Sequence, residues 1–184
     1  MPADAAALDT APHDTAPAGA APALPRPVLA VVDDSALAVP VVLRAARLAA
    51  TAGQPLVVAS VFTFPVHATT GGLPATCEAF EEAVAVLERV RPLLDPLGVP
   101  YRLDVRGCSG RGGPRRRARR VADQLLRIRA ETAASAIVLG LPDRSAHPPG
   151  GGVVARVLRG APGGVLVAFG SVPQPRTDDR CGRQ

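Results

Sequence analysis

Two stretches of this chain combine residue types that handle anions. The first is an apolar run, Val31-Val32, that stops at Asp33-Asp34-Ser35, and the second is Gly140-Leu141-Pro142-Asp143-Arg144-Ser145, with Gly150-Gly151-Gly152 a few residues on. Glycines let backbone N–H groups come close to phosphate oxygens, and a helix that starts after such a run adds the positive end of its dipole. Arg144 and Ser145 add side-chain donors, so the chemistry indicated is the holding of a phosphorylated ligand. Other residues in the second stretch oppose it. Pro148 and Pro149 have no N–H to give. A carboxylate such as Asp143 held about 4 Å from a phosphate charge costs on the order of 4 kcal/mol at an effective dielectric near 20, unless a divalent ion bridges the two. Asp33 and Asp34 are adjacent at a strand end and point in different directions. They read as one pocket residue and one turn residue, not as an acid and base pair.

The composition removes several classes of chemistry. The chain has no lysine, so a Walker A phosphate loop, a Schiff-base enzyme and a protein-kinase core are excluded. Its three histidines, His13, His67 and His147, and three scattered cysteines, Cys77, Cys108 and Cys181, offer no metal spacing and no disulfide framework. No catalytic residue and no metal ligand is therefore assigned, and the thiols suit a reducing, cytoplasmic setting. The formal charge is +5, but arginine carries all of the basic residues in a chain biased toward Ala, Arg, Gly, Pro and Val. That bias makes the net charge a weak argument for a nucleic-acid partner.

Residues 1–26, rich in Ala and Pro, read as a disordered arm, and residues 171–184 as a flexible tail. The arm has no basic residue before Arg26, which argues against an export signal. The longer apolar stretches are interrupted by Arg44, Arg47, Gly53 or Pro55, short of the roughly 18 residues that cross a bilayer. Between arm and tail, element types alternate. Strands are expected at Pro27–Val32, Pro55–Phe62, Gly98–Val105, Ala136–Leu139 and Gly164–Ala168. A first helix should run from Pro40 to Ala52 with Leu43 and Leu48 inward. A second, capped by Thr76, should use Phe80, Val84, Leu87, Val90 and Leu94, and should end or bend at Pro92. After a loop from Gly107 to Gly113, a third should bury Ala118, Val121, Ala122, Leu125 and Ile128, and a short fourth should cover Gly152–Arg159. This order predicts an α/β domain over 27–170: an open five-stranded parallel sheet with helices on both faces and right-handed crossovers. Ligands of such sheets bind beyond the carboxyl ends of the strands where strand order reverses, which points to the loops after the first and fourth strands.

At these residues the chain resembles the universal stress protein family. The resemblance rests on Val32-Asp33-x-Ser35, on Ile137 to Gly140, and on Arg144-Ser145, Gly151, Ala155 to Arg159, Ala161-Pro162 and Val165 to Val167. It implies an adenine-nucleotide site for ATP, with magnesium, in which Val31 and Asp33 lie near the nucleoside and Val61 near the base. Gly140, Asp143, Arg144, Ser145, Gly151, Gly152 and Val153 would then lie around the phosphates. It also implies a homodimer joined through the last strand and a role in stress regulation with a protein partner. ATP-binding members carry G-x2-G-x9-G-[ST] at this place. Here Asp143 stands for the second glycine, the spacer to Gly151 is shorter, and Gly152 replaces the hydroxyl residue. These departures leave two outcomes open, a pocket of reduced phosphate affinity or one remodelled so that ATP is lost.

Two other classes compete. A hydrolase or transferase of nucleotide phosphates would have only Asp33, Asp34 and Asp143 to work with. A nucleic-acid-associated protein would use Arg115, Arg116, Arg117, Arg119 and Arg120, which crowd the start of the third helix against its dipole. With one Tyr, four Phe and no Trp, nothing supports base stacking, so nucleic acid is not the expected partner and neither is a membrane.

Overall fold

Val28, Leu29 and Ala30 are consecutive and all fully excluded from water, which happens only to a strand covered on both faces. The computed structural model describes residues 25–64, 72–110, 112–141, 152–161 and 163–169. The expected arm, apart from residues 25 and 26, and the expected tail lie outside them, as do Asp143, Arg144, Ser145 and Gly151.

The elements are β1 (Val28–Val32), α1 (Ala38–Ala52), β2 (Leu56–Phe64), α2 (Gly72–Leu94), a 3-10 turn (Asp95–Leu97), β3 (Tyr101–Ser109), α3 (Pro114–Thr132), β4 (Ala136–Leu141), α4 (Gly152–Gly160) and β5 (Val165–Phe169). The five strands pair in parallel in the order β3-β2-β1-β4-β5, as the alternation of elements predicts. Strand order reverses beside β1: the chain first moves outward to β2 and β3, then returns to lay β4 on the other side.

Two apolar clusters fill the two sides of the sheet. Val28, Ala30, Leu56, Val58 and Val138 meet α1 and α2 on one side, while Leu29, Val57, Ala59, Ile137 and Leu139 meet α3 and α4 on the other. Each buried Val, Leu or Ile contributes roughly 1.5–3 kcal/mol, so this alternation along the strands is what fixes the register.

Several local expectations need correction. The buried face of α1 is made of Ala38, Val41, Val42, Ala45, Ala46 and Ala49, whereas Leu43 and Leu48 are only half-buried. Small side chains let the helix axis approach the sheet, and the leucines flank the contact. Helix α2 begins at Gly72, before Thr76, and runs through Pro92 to Leu94. Glu88, whose carbonyl the missing Pro92 N–H would have met, lies on the exposed face, where water can satisfy it. Phe80 leaves the buried stripe: it is 46% exposed, and its ring meets that of Phe62 edge-on with centroids 5.9 Å apart. Ala83 and Val86 take the core positions. The expected glycine-rich loop starts later than Gly107, because β3 continues to Ser109 in unbroken register with Phe64 of β2.

Candidate functional site at the reversal of strand order

The carboxyl ends of β1 and β4 are neighbours. Their register pairs Ala30 with Val138, so Val32 and Gly140 stand at the same level, and Asp33 is the first residue beyond. The chain leaves β1 toward α1 on one side of the sheet and leaves β4 toward α4 on the other. Connections that part in this way are where open α/β sheets place a ligand crevice.

On the β1 side the loop is tied by its own polar groups. The Ser35 N–H donates to Asp33 Oδ1 at 3.1 Å, and the Ser35 hydroxyl donates to the same oxygen. Leu37 N–H in turn donates to Ser35 Oγ at 3.3 Å, and the Ala38 N–H to the Ser35 carbonyl at 3.2 Å. Asp33 therefore keeps one carboxylate oxygen engaged in the turn that launches α1, and its side chain stays exposed. Asp34 is exposed as well, consistent with a turn position.

On the β4 side, Gly140 leaves little room for a side chain. A Cβ there would stand 3.0 Å from Leu37 Cβ and 3.3 Å from Val41 Cγ2. The loop and first turn of α1 thus pack directly on the bare backbone of the glycine. Val31, Val61 and Val153 are half-buried at the margin of the apolar cluster under α3 and α4, so the structure places these three on one side of the sheet and Gly140 on the other. Gly152 opens α4, and a Cβ on it would stand 2.9 Å from Ala118 Cβ of α3. A bridge anchors that approach: Asp123 of α3 receives Arg156 of α4 at 3.1 Å and Arg119 at 3.7 Å. Exposed pairs of this kind are worth about 0–1 kcal/mol, so the bridge orients α4 more than it stabilises the fold.

Sequence reasoning missed Leu37, which presses on Gly140, and placed Ala118 in the inward stripe of α3 without foreseeing that it meets Gly152. An alanine set among arginines at the start of α3 was the available signal for that contact. Among the described residues, no group of three or more His, Cys, Asp or Glu comes together to hold a metal, and no helix is long and apolar enough to cross a membrane.

The comparisons with known proteins agree with this geometry. The sequence matches the Universal stress protein family over residues 25–168. A protein of that family from Burkholderia pseudomallei has a similar structure, with TM-score 0.61 and 24% identity, covering 80% of this chain and 98% of the other. The universal stress protein UspA from Lactobacillus plantarum superposes with TM-score 0.60 at 19% identity, over 79% and 99% of the two chains. A universal stress protein family protein from Arabidopsis thaliana, solved with AMP bound, gives 0.53 at 15% identity, over 84% and 97%. At these identities the structural likeness is one of fold. A search among curated proteins finds no match. The family match spans most of the chain and includes both sides of the crevice, and on that ground the chain belongs to the universal stress protein family.

Proposed function

We propose that this domain is a cytoplasmic regulatory or adaptor protein of the stress response that binds an adenine nucleotide in the crevice between β1 and β4. The observation that carries the reading is the bare backbone at Gly140, at the carboxyl end of β4 beside that of β1. Leu37 and Val41 crowd that position against a side chain, beside a β1 loop whose Asp33 is already oriented by Ser35. The same fold in the Arabidopsis thaliana protein holds AMP. Binding is favoured over turnover because the acidic groups at the mouth, Asp33 and Asp34, are exposed and Asp33 is committed to a turn.

The phosphate end is the weaker half of the site. Asp143 and the shortened glycine loop reduce affinity for each added phosphate unless magnesium bridges the carboxylate to the ligand. ATP without magnesium is thus held less tightly than the adenosine portion alone would suggest. A homodimer through β5 fits the sheet, since β5 is an edge strand and Val165–Phe169 is apolar throughout.

Mass spectrometry of the purified full chain under native conditions tests both parts. The expected spectrum shows a dimer carrying a mass that fragments to adenine. A monomer would remove the proposed interface, and a nucleotide-free protein that stays free after incubation with AMP and ATP would remove the proposed ligand.

A further inference from the structure

The two helical layers carry opposite charge. Nine arginines and only two acids, Asp123 and Glu131, lie on α3 and α4. On the other side of the sheet, α1, α2 and the 3-10 turn carry four arginines against five acids. A compositional bias toward arginine acts on the whole chain and would load both layers alike. It does not produce this asymmetry.

The arginines of the basic layer are held only in part. Arg119 and Arg156 share Asp123, Arg120 donates to the Ser109 carbonyl at 2.9 Å, and Arg129 donates to the Gly163 carbonyl at 2.9 Å. Arg115, Arg116, Arg117, Arg127 and Arg159 are exposed and have no ion pair within the described residues. Three of these five occupy the first turn of α3, where positive charge opposes the helix dipole. The helix dipole gains nothing from their charge there.

We propose that the α3–α4 face docks the phosphodiester backbone of a nucleic-acid duplex, without reading its sequence. A protein partner would be expected to meet an apolar or aromatic centre inside a polar rim. Among the described residues this face exposes one large apolar side chain, Leu158, while the exposed Phe80 lies on α2 in the other layer. Arginine forks match phosphate oxygens, and a charge-only face without aromatic rings suits backbone contact and not base stacking. From Arg115 to Arg129 the helix axis advances about 21 Å, a length over which a duplex presents roughly a dozen phosphate charges. The inference stands apart from the nucleotide crevice and does not need it to be filled.

Fluorescence anisotropy with labelled duplex DNA and duplex RNA of mixed sequence, read across about 50 to 200 mM salt, provides the test. The full chain should bind with affinity that falls steeply with salt and is insensitive to scrambling the sequence. The duplex bound more tightly identifies the natural source of the backbone. The variant R115E/R116E/R117E should lose at least about tenfold more affinity than R44E/R47E/R89E, which changes net charge equally on the opposite layer, and should flatten the salt slope by roughly 3 units. Glutamate in the first turn of α3 favours the helix dipole, so the variant should fold, with circular dichroism as the check. Absence of binding at the lowest salt, equal losses in both triple variants, or displacement of the duplex by polyglutamate at equal charge would each overturn the proposal.

Discussion

Cys108 shows how local environment decides the behaviour of one side chain. It is 8% exposed in β3, and burial pushes its thiol pKa up while Arg120 and Arg117 pull it down; burial prevails. Cys77 on α2 is exposed. In the native protein near pH 7.5, iodoacetamide should label Cys77 at least about tenfold faster than Cys108, a ratio that peptide mass spectrometry reads directly. Equal rates would contradict the assigned burial. A thiol whose folded pKa lies above its unfolded value adds stability that is complete below the ordinary thiol range, about 8.5, and is lost as pH rises through the folded value. Denaturant midpoints should therefore fall in the alkaline range, and less so in Cys108→Ala. Tyr101, raised by its hydrogen bond to Asp95, acts in the same sense and remains in the variant as a background. Ala133 offers a second test at this scale. It ends α3 in the left-handed region at φ 52°, where its Cβ is strained. Ala133→Gly should raise stability by about 1 kcal/mol, visible in chemical denaturation. A loss would mean that the unfolded-state entropy of glycine outweighs the relieved strain.

Helix α1 was the element least well described by its large residues. Its leucines suggested a conventional stripe, but the contact surface is a row of alanines and valines, because this helix must sit close enough for Leu37 and Val41 to cover Gly140. Ala45→Leu should accordingly cost about 1–3 kcal/mol through overpacking. It should also push α1 away from the crevice, lowering both the melting temperature and nucleotide affinity. An unchanged melting temperature would show that the helix has slack. Other elements could be read closely. Of the stripe that spacing predicts for α3, Ala122, Leu125 and Ile128 are fully buried while Ala118 and Val121 are half-buried at its margin, and the polar alternation of β3 marks a true edge of the sheet. Boundaries were harder. The extension of β3 to Ser109 depends on pairing with Phe62, Thr63 and Phe64 across the sheet, which no local pattern in Gly107-Cys108-Ser109 reveals.

For the molecule as a whole, the parallel sheet, its reversal beside β1 and the adjacency of the carboxyl ends of β1 and β4 were all legible, because buried parallel strands leave continuous apolar runs and crossovers have one hand. The packing that shapes the crevice was not. Leu37 over Gly140 and Ala118 against Gly152 are contacts between elements distant in sequence, and residue type alone does not announce them. The separation of charge between the two helical layers likewise becomes visible only once α3 and α4 are known to share one side of the sheet.

The central claim is that the bare backbone at Gly140, packed beneath Leu37 and Val41, borders an adenine-nucleotide site, and isothermal calorimetry with AMP and with magnesium ATP on the wild type and on Gly140→Val tests it most directly. The wild type should bind AMP with saturable heat, and Gly140→Val, whose side chain would collide with Leu37 and Val41, should lose at least about tenfold in affinity while circular dichroism shows it folded. A wild type that binds neither nucleotide, or a folded Gly140→Val that binds as well as the wild type, would contradict the account.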